Sequence, residues 1–428
     1  MKNKSIKNNY IPEEIKFDNE FNDIYNLMEY SKQNIFITGK AGAGKTTLLE
    51  YFRNNSKKNF VILASTGISA IKAKGKTIHS FFLFPPRILI NEKIKRLRSK
   101  VISKIDTILI DECSMIRCDV LDAIDQSLRL NRNSNKSFGG IQIILLGDLH
   151  QLPPVIRENE REIFNNFYPV GHYFFNANCF EESNIKTYEL TKVFRQKDKN
   201  FINILNNIRS GKVNDNDLKV LNNRVINQNS DIPSETIILS PTNKRVDSIN
   251  NLNLQNINSE TFSYESSETG DFKEKPADEI LELKVGAQVM LIKNDFKSPK
   301  RWVNGSIGVV TQLTENSIQL KIKNKIYKIK QDTWEKFDYL IKDGQVVHEV
   351  VATFTQYPIK LAWAVTIHKS QGQTFEKAII DLDRGSFAPG QTYVALSRVT
   401  SIDGLFLTRK INVSDVVFDK NIENYFLC

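Results

Sequence analysis

Cysteine is scarce in this chain of 428 residues. Cys113, Cys118, Cys179 and Cys428 form no Cys-x-x-Cys pair and no Cys/His cluster, so neither a zinc site nor a disulfide framework is implied. Such usage fits a reduced intracellular compartment. Long apolar runs are also missing, and none reaches the roughly 18 residues that a membrane-spanning helix needs. The N-terminal stretch MKNKSIKNNYIPEE has no apolar core and cannot serve as a secretory signal. A cytoplasmic protein with no membrane span is the expectation. Acid is in deficit, with 49 Asp and Glu against 59 Lys and Arg, a net charge of +10. That excess favours a polyanionic partner, nucleic acid or an anionic surface. No repeat of fixed period is present.

What is there reads as alternating α/β. At roughly 150 residues per domain the length predicts two to four domains. NIFITG (34–39), FVILAS (60–65), TILIDE (107–112) and QIILLGD (142–148) are continuous apolar runs, each closed by a polar residue or glycine. Runs of this kind suit strands buried on both faces of a parallel sheet, with ligands at the strand C-terminal ends. A second α/β block starts near Thr187 and carries ETIILSPTN (235–243) and KAIIDLD (377–383). SIQLKIKNKIYKIKQ (317–331) alternates lysine with apolar residues, as a half-exposed hairpin does. The expected organisation is an arm at 1–16, a first lobe at 17–186 with a small basic insertion at 84–100, and a second lobe at 187–307 and 357–428. A β insertion at 308–356 interrupts the second lobe.

One stretch fixes the ligand class. Gly39, Lys40, Ala41, Gly42, Ala43, Gly44, Lys45 and Thr46 fit GxxxxGK[ST] without mismatch, and Thr47 continues into a helix. The glycines let backbone N–H groups face a β-phosphate, and the helix N-terminus adds a favourable field. Lys45 is expected at the β/γ oxygens and Thr46 on Mg²⁺. Asp111 and Glu112 end a strand, where one carboxylate suits the Mg²⁺ shell and the next suits deprotonation of an attacking water. Gln151, in GDLHQLPP (147–154), is placed to touch both the γ-phosphate and a substrate path. Arg195 in VFRQ and Arg398 in VALSRV are candidates to meet transition-state charge from the second lobe.

Taken in order, GKAGAGKT (39–46), ASTGISA (64–70), TIHSFF (77–82), IDECSM (110–115), GDLHQLPPV (147–155), LTKVFRQ (190–196), VNGSIG (303–308), AVTIHKSQGQTF (364–375) and YVALSRV (393–399) resemble a superfamily 1 helicase of the Pif1-like group. The likeness runs from about 34 to 408. It implies two RecA-like P-loop lobes flanked by helices, an SH3-like β insertion, ATP and Mg²⁺ as cofactors, and 5′-to-3′ movement along single-stranded DNA and its junctions with duplex, which is unwound; a preference for forks, G-quadruplex or RNA–DNA hybrid is not readable. It makes Asp111 a metal ligand, Glu112 the water activator, Gln151 the γ-phosphate sensor, and Arg195 and Arg398 arginine fingers. Gln371 and Gly372 join the nucleotide side. A monomer in solution is expected, from a bacterial or viral source.

A translocase grips phosphates without reading bases. Thr66, Gly67, His79, Ser80 and Phe81 in the first lobe are the DNA candidates. Thr242, Asn243, Trp302, Asn304, Thr366, His368, Lys369 and Ser370 are their counterparts in the second. Phe81 reads equally as a core aromatic. The basic runs Lys93–Lys100 and Lys321–Lys325 read equally as solvated faces. Two departures stand out. IKFDNEFNDIYNLMEY lacks the glutamine by which the family reads adenine, and the family's Ala-Pro-Thr-Gly is here Ala64, Ser65, Thr66 and Gly67. An RNA-directed helicase, or an ATPase that remodels protein–DNA complexes without unwinding, remain the alternatives.

Overall fold

The computed structural model describes residues 19–90, 92–98, 100–192, 196, 198–226, 236–272, 275–295 and 301–427. The expected arm at 1–16 and Arg195 lie outside the described residues.

The apolar runs form the expected parallel sheet. Its strands are β1 (Ile35–Gly39), β2 (Phe60–Ala64), β3 (Lys76–Thr77), β4 (Thr107–Asp111), β5 (Gln142–Leu146) and β6 (Lys186–Leu190). They lie in the order β3-β2-β4-β5-β1-β6, all parallel. Every residue of β1 and β5 is buried, which is why neither strand alternates in polarity. α1 (Asn19–Tyr30) and α2 (Lys45–Asn55) pack on one face of the sheet through Phe21, Ile24, Leu48 and Phe52. α3 (Gly67–Ala73) follows β2. Thr66 caps it, its hydroxyl accepting from the Ser69 N–H.

A second parallel sheet is built from Ala364–Thr366, Ile237–Ser240, Ala378–Ile380 and Leu405–Leu407, in that order. Its core takes in the buried face of the helix Lys199–Arg209, with Phe201, Ile204, Leu205 and Ile208. Two sheets of this kind, each with helices, give the two-lobed P-loop architecture expected.

Antiparallel strands occupy more of the chain than the 308–356 segment expected. They begin at Thr261–Glu265 and end at Ile359–Leu361. Gln288–Leu291 belongs to this part with all four residues buried, so it offers no alternation to read. The long hairpin Asp332–Lys342 and Gln345–Gln356 leaves the insertion and packs on the first lobe, where Tyr339 joins the first lobe's hydrophobic core. Asp338 pairs with Lys76 at 2.8 Å and the Val346 N–H donates to Asn59 Oδ1 at 3.1 Å.

Chain order also misplaces the last helix, Lys420–Leu427. Expected in the second lobe, it packs instead on the first. Tyr425 stacks on Phe175 with centroids 4.5 Å apart, its hydroxyl bonds Thr187 Oγ1 at 2.7 Å, and Phe426 stacks on His150 at 5.6 Å. The basic run at 84–100 lies against the first lobe with Leu89 buried, while Lys93, Lys95, Arg96, Arg98 and Lys100 are exposed. Lys321, Lys323 and Lys325 are exposed as well, Lys323 paired with Glu376.

Candidate functional site

β1 lies inside the sheet between β5 and β6, so the loop after it opens at the sheet's C-terminal edge. Gly44 closes the loop at φ 91° as the N-cap of α2, a conformation that favours glycine. The Lys45 Nζ donates to the Gly39 carbonyl at 2.6 Å and the Lys40 carbonyl at 3.2 Å. Burial lowers its pKa, opposed by Asp148 and Glu112. A lysine buried this deeply beside two carboxylates is placed to meet anionic oxygen.

β4 delivers the acidic pair. The Glu112 N–H donates to Asp111 Oδ1 at 3.0 Å. Burial, and then the Glu112 charge, push Asp111 up to about 7. Two crowded carboxylates near Thr46 are a donor set that fits a divalent cation, which would relieve their repulsion. Among the described residues no group of three or more His, Cys, Asp or Glu gathers. Glu112 sits at φ 51°, ψ 47°, left-handed for a residue with a side chain. Strain of this kind concentrates at functional sites.

The loop after β5 centres on Asp148, which is wholly buried. Its Oδ1 accepts from Arg209 Nη2 at 3.1 Å and from the His150 N–H at 3.2 Å. Oδ2 accepts from Gln151 Nε2 and from the Tyr393 hydroxyl, both at 3.4 Å. Burial alone would raise the Asp148 pKa, but Arg209, with His150 and Lys45 behind it, holds the carboxyl well below the usual range. The Tyr393 hydroxyl also accepts from the Ala41 N–H at 3.2 Å. Gly390 lets the second lobe approach this loop, since a Cβ there would lie 2.4 Å from the His150 carbonyl. Gln371 Nε2 makes a long contact of 3.5 Å to Gln151 Oε1 across the lobes.

Arg398 lies deeper than a solvated arginine. It is 1% exposed, with Nε donating to the Val394 carbonyl at 2.9 Å and Nη2 to Ser397 Oγ at 2.8 Å. Longer contacts of 3.4 Å run to the Ser370 and Gln373 carbonyls. These partners all belong to the second lobe.

A cleft of about 820 Å³ joins the lobes. It is lined by Thr46, Asp111 and Glu112 after the first lobe's strands, by Thr66 and Lys72, by His368, Lys369, Gln371 and Gly372 of the second lobe, and by Asn304, Trp334 and Phe337. Many of the expected residues therefore share one space. Others do not line it. Phe81 packs against the first lobe's core and meets Tyr339 edge-on at 6.0 Å. Trp302 packs in the insertion against Tyr327, with the Arg301 guanidinium over its ring at 4.2 Å. The Ser370 hydroxyl donates to the Ile367 carbonyl, and the Thr366 hydroxyl accepts the Lys369 N–H, so both serve the TIHKS turn itself. Thr242 caps the helix Asn243–Gln255, with both Thr242 and Asn243 exposed. His79 and Ser80 stand on the short helix Ile78–Phe82, and burial lowers the His79 pKa.

Sequence reading passed over Lys72, Arg209 and Tyr393. Tyr393 lay inside a quoted motif, and Arg209 ends an amphipathic helix, where a cation is unremarkable. No local signal distinguishes Lys72.

A family model described as PIF1-like helicase matches residues 17–219. The ATP-dependent DNA helicase Pif1 of Bdellovibrio bacteriovorus is 32% identical over 415 residues, covering 92% of this chain and 88% of that protein. The unliganded Pif1 from Bacteroides sp superposes with a TM-score of 0.89 at 39% identity, over 96% of this chain and 97% of that one. A Pif1 helicase from Bacteroides in complex with ADP-AlF3 and ssDNA gives 0.70 at 39% identity, over 96% and 97%. The phosphate loop, the acidic pair and this near full-length likeness place the chain in the PIF1-like helicase family.

Proposed function

We propose that the chain is an ATP-dependent DNA helicase that moves 5′ to 3′ along single-stranded DNA. The observation that carries this is one cleft between two lobes, lined both by Thr46, Asp111 and Glu112 and by Thr66, His368 and Lys369. A change at the nucleotide end is thereby felt where a strand would lie. The relatives' names and the complex with ADP-AlF3 and ssDNA support the same reading.

The loop from Gly39 to Thr47 would bind the triphosphate through its N–H groups and the Lys45 ammonium. The Thr46 hydroxyl and Asp111 would hold Mg²⁺, which supplies charge neutralisation at the phosphate oxygens when bound. Glu112 orients the attacking water and takes its proton. Gln151 senses the γ-phosphate, with Gln371 and Gly372 facing it from the second lobe. Arg195 and Arg398 supply positive charge as the lobes close. For Arg398 the two 3.4 Å contacts are longer than those to Val394 and Ser397, and cheaper than those to exchange for a phosphate oxygen. The strand is gripped by Thr66, Gly67, His79, Ser80, Asn304, His368 and Lys369. Thr242 and Asn243 lie along its continuation. Among the described residues no helix is long and apolar enough to cross a membrane. A cytoplasmic monomer is the working state, and mass photometry with forked DNA tests whether a second copy joins.

Partial duplexes with a 5′ or a 3′ single-stranded tail decide polarity. Unwinding from the 3′ tail would reverse the assignment. ATP turnover should rise steeply with single-stranded DNA and fall with added salt. Equal stimulation by RNA would favour an RNA-directed enzyme, and stimulation without strand separation would favour a remodelling ATPase. Lys45→Ala should abolish turnover, whereas Glu112→Gln should bind nucleotide and fail to hydrolyse it.

A further inference from the structure

Arg209 has no place in the chemistry described so far, yet the structure treats it unlike any solvated cation. It ends the helix Lys199–Arg209, whose apolar face is buried in the second lobe. Its side chain is 12% exposed and lies against Asp148, whose side chain is 0% exposed and belongs to the first lobe. Asp148 is in turn bonded to Gln151 and to Tyr393, and Tyr393 to the Ala41 N–H of the phosphate loop. One buried carboxylate thus touches the γ-phosphate sensor, the second lobe, and, through one hydroxyl, the nucleotide loop.

We propose that Arg209 is a positioning residue for ATP hydrolysis, acting from the second lobe through Asp148. This rests on the reading of the chain as an ATP-driven helicase. The physical reason is competition between two cations. Asp148 lies within the electrostatic reach of both Arg209 and Lys45. With Arg209 in place, the carboxylate is neutralised from the second lobe and Lys45 is left for phosphate. Without Arg209 the buried charge is uncompensated, a costly state. Lys45, whose charge already acts on Asp148, is then drawn toward the carboxylate alongside His150, which lies 3.5 Å from it. Gln151 loses its anchor geometry in the same step. Arg209 meets the carboxylates of Asp148 and Glu189, so its effect is on where other groups stand.

The test is steady-state ATP turnover with saturating single-stranded DNA, alongside nucleotide affinity from a fluorescent ADP analogue. Arg209→Gln should lower kcat by roughly 100-fold, the cost of a small misplacement at a reacting centre, while changing nucleotide affinity far less. The distinguishing variant is the pair Arg209→Gln/Asp148→Asn. Asparagine keeps a carbonyl acceptor for Gln151 and Tyr393 but no longer attracts Lys45. The pair should turn over about tenfold faster than Arg209→Gln alone, a coupling expected of residues in contact. A purely structural role would give no such recovery. Tyr393→Phe, which removes one hydroxyl and little volume, should lower kcat by about tenfold with an unchanged melting temperature. It decides the matter if Arg209→Gln does not fold. The proposal is overturned if Arg209→Gln keeps kcat within about twofold of wild type, if the pair shows no recovery, or if Tyr393→Phe is silent. Should the wild-type chain itself not hydrolyse ATP, the helicase reading fails instead.

Discussion

Tyr339 reaches from the insertion hairpin to the backbone of Ile62 in the first lobe. Its hydroxyl accepts the Ile62 N–H at 2.8 Å and donates to the Ile62 carbonyl at 3.1 Å. Both groups of a strand residue point to the same side, and β3 pairs only with Leu63 and Ala64, leaving Ile62 to be satisfied otherwise. Tyr339→Phe strands two buried backbone groups, so a loss of roughly 1–3 kcal/mol is expected. Denaturant unfolding measures it, with faster amide exchange at Ile62 as the local sign. An unchanged midpoint would show that water replaces the hydroxyl.

Asp111 gives a pH dependence with a definite sign. Its folded pKa is raised from 3.8 to about 7, so the folded state holds the proton more tightly than the unfolded chain. Without nucleotide, stability therefore increases as pH falls from 7 toward 4 and is lost as pH rises through 7. Cation binding runs the other way, because the ligand must be deprotonated. Mg²⁺-dependent nucleotide affinity should be about tenfold weaker near pH 6 than near pH 8. Titration calorimetry should also detect proton release near pH 6, and flat affinity across this range would refute the argument.

Glu112 holds a left-handed backbone that costs a side-chain-bearing residue roughly 1 kcal/mol. Glu112→Gly should therefore raise the unfolding free energy by about that amount while abolishing turnover, a trade of activity against stability. Calorimetry and an ATPase assay on the same preparation check both halves.

How much of this was legible in the sequence depends on the range of the interaction. The parallel strands announced themselves because β1, β4 and β5 are buried almost end to end, and burial on both faces leaves unbroken apolar runs. The phosphate loop was legible because glycine positions and Lys45 are fixed by local backbone geometry. Arg209 and Asp148 were not, since they lie 61 positions apart and neither is unusual in its own helix or loop. Phe81, open to two readings in sequence, packs against the core, a choice that only long-range contacts make visible. The last helix was assigned by chain order, which says nothing about which lobe buries Tyr425.

Tyr425 provides the last prediction. It stacks on Phe175 and meets Phe36 and Phe180 in the first lobe. Tyr425→Ala should cost roughly 3 kcal/mol, as for removal of a well-packed aromatic. Amide exchange should then quicken in the helix Lys420–Leu427 before it does in either sheet. Exchange unchanged there would mean that the rest of the helix suffices to dock it.

The return of that helix has a mechanical consequence. The chain crosses from the first lobe to the second after Leu190 and crosses back before Lys420, so two covalent connections join the same two bodies. Two bodies fastened at one point can tumble about it. Fastened at two, and held besides where Tyr339 of the insertion meets Ile62 and Asp338 meets Lys76, they have fewer ways to part.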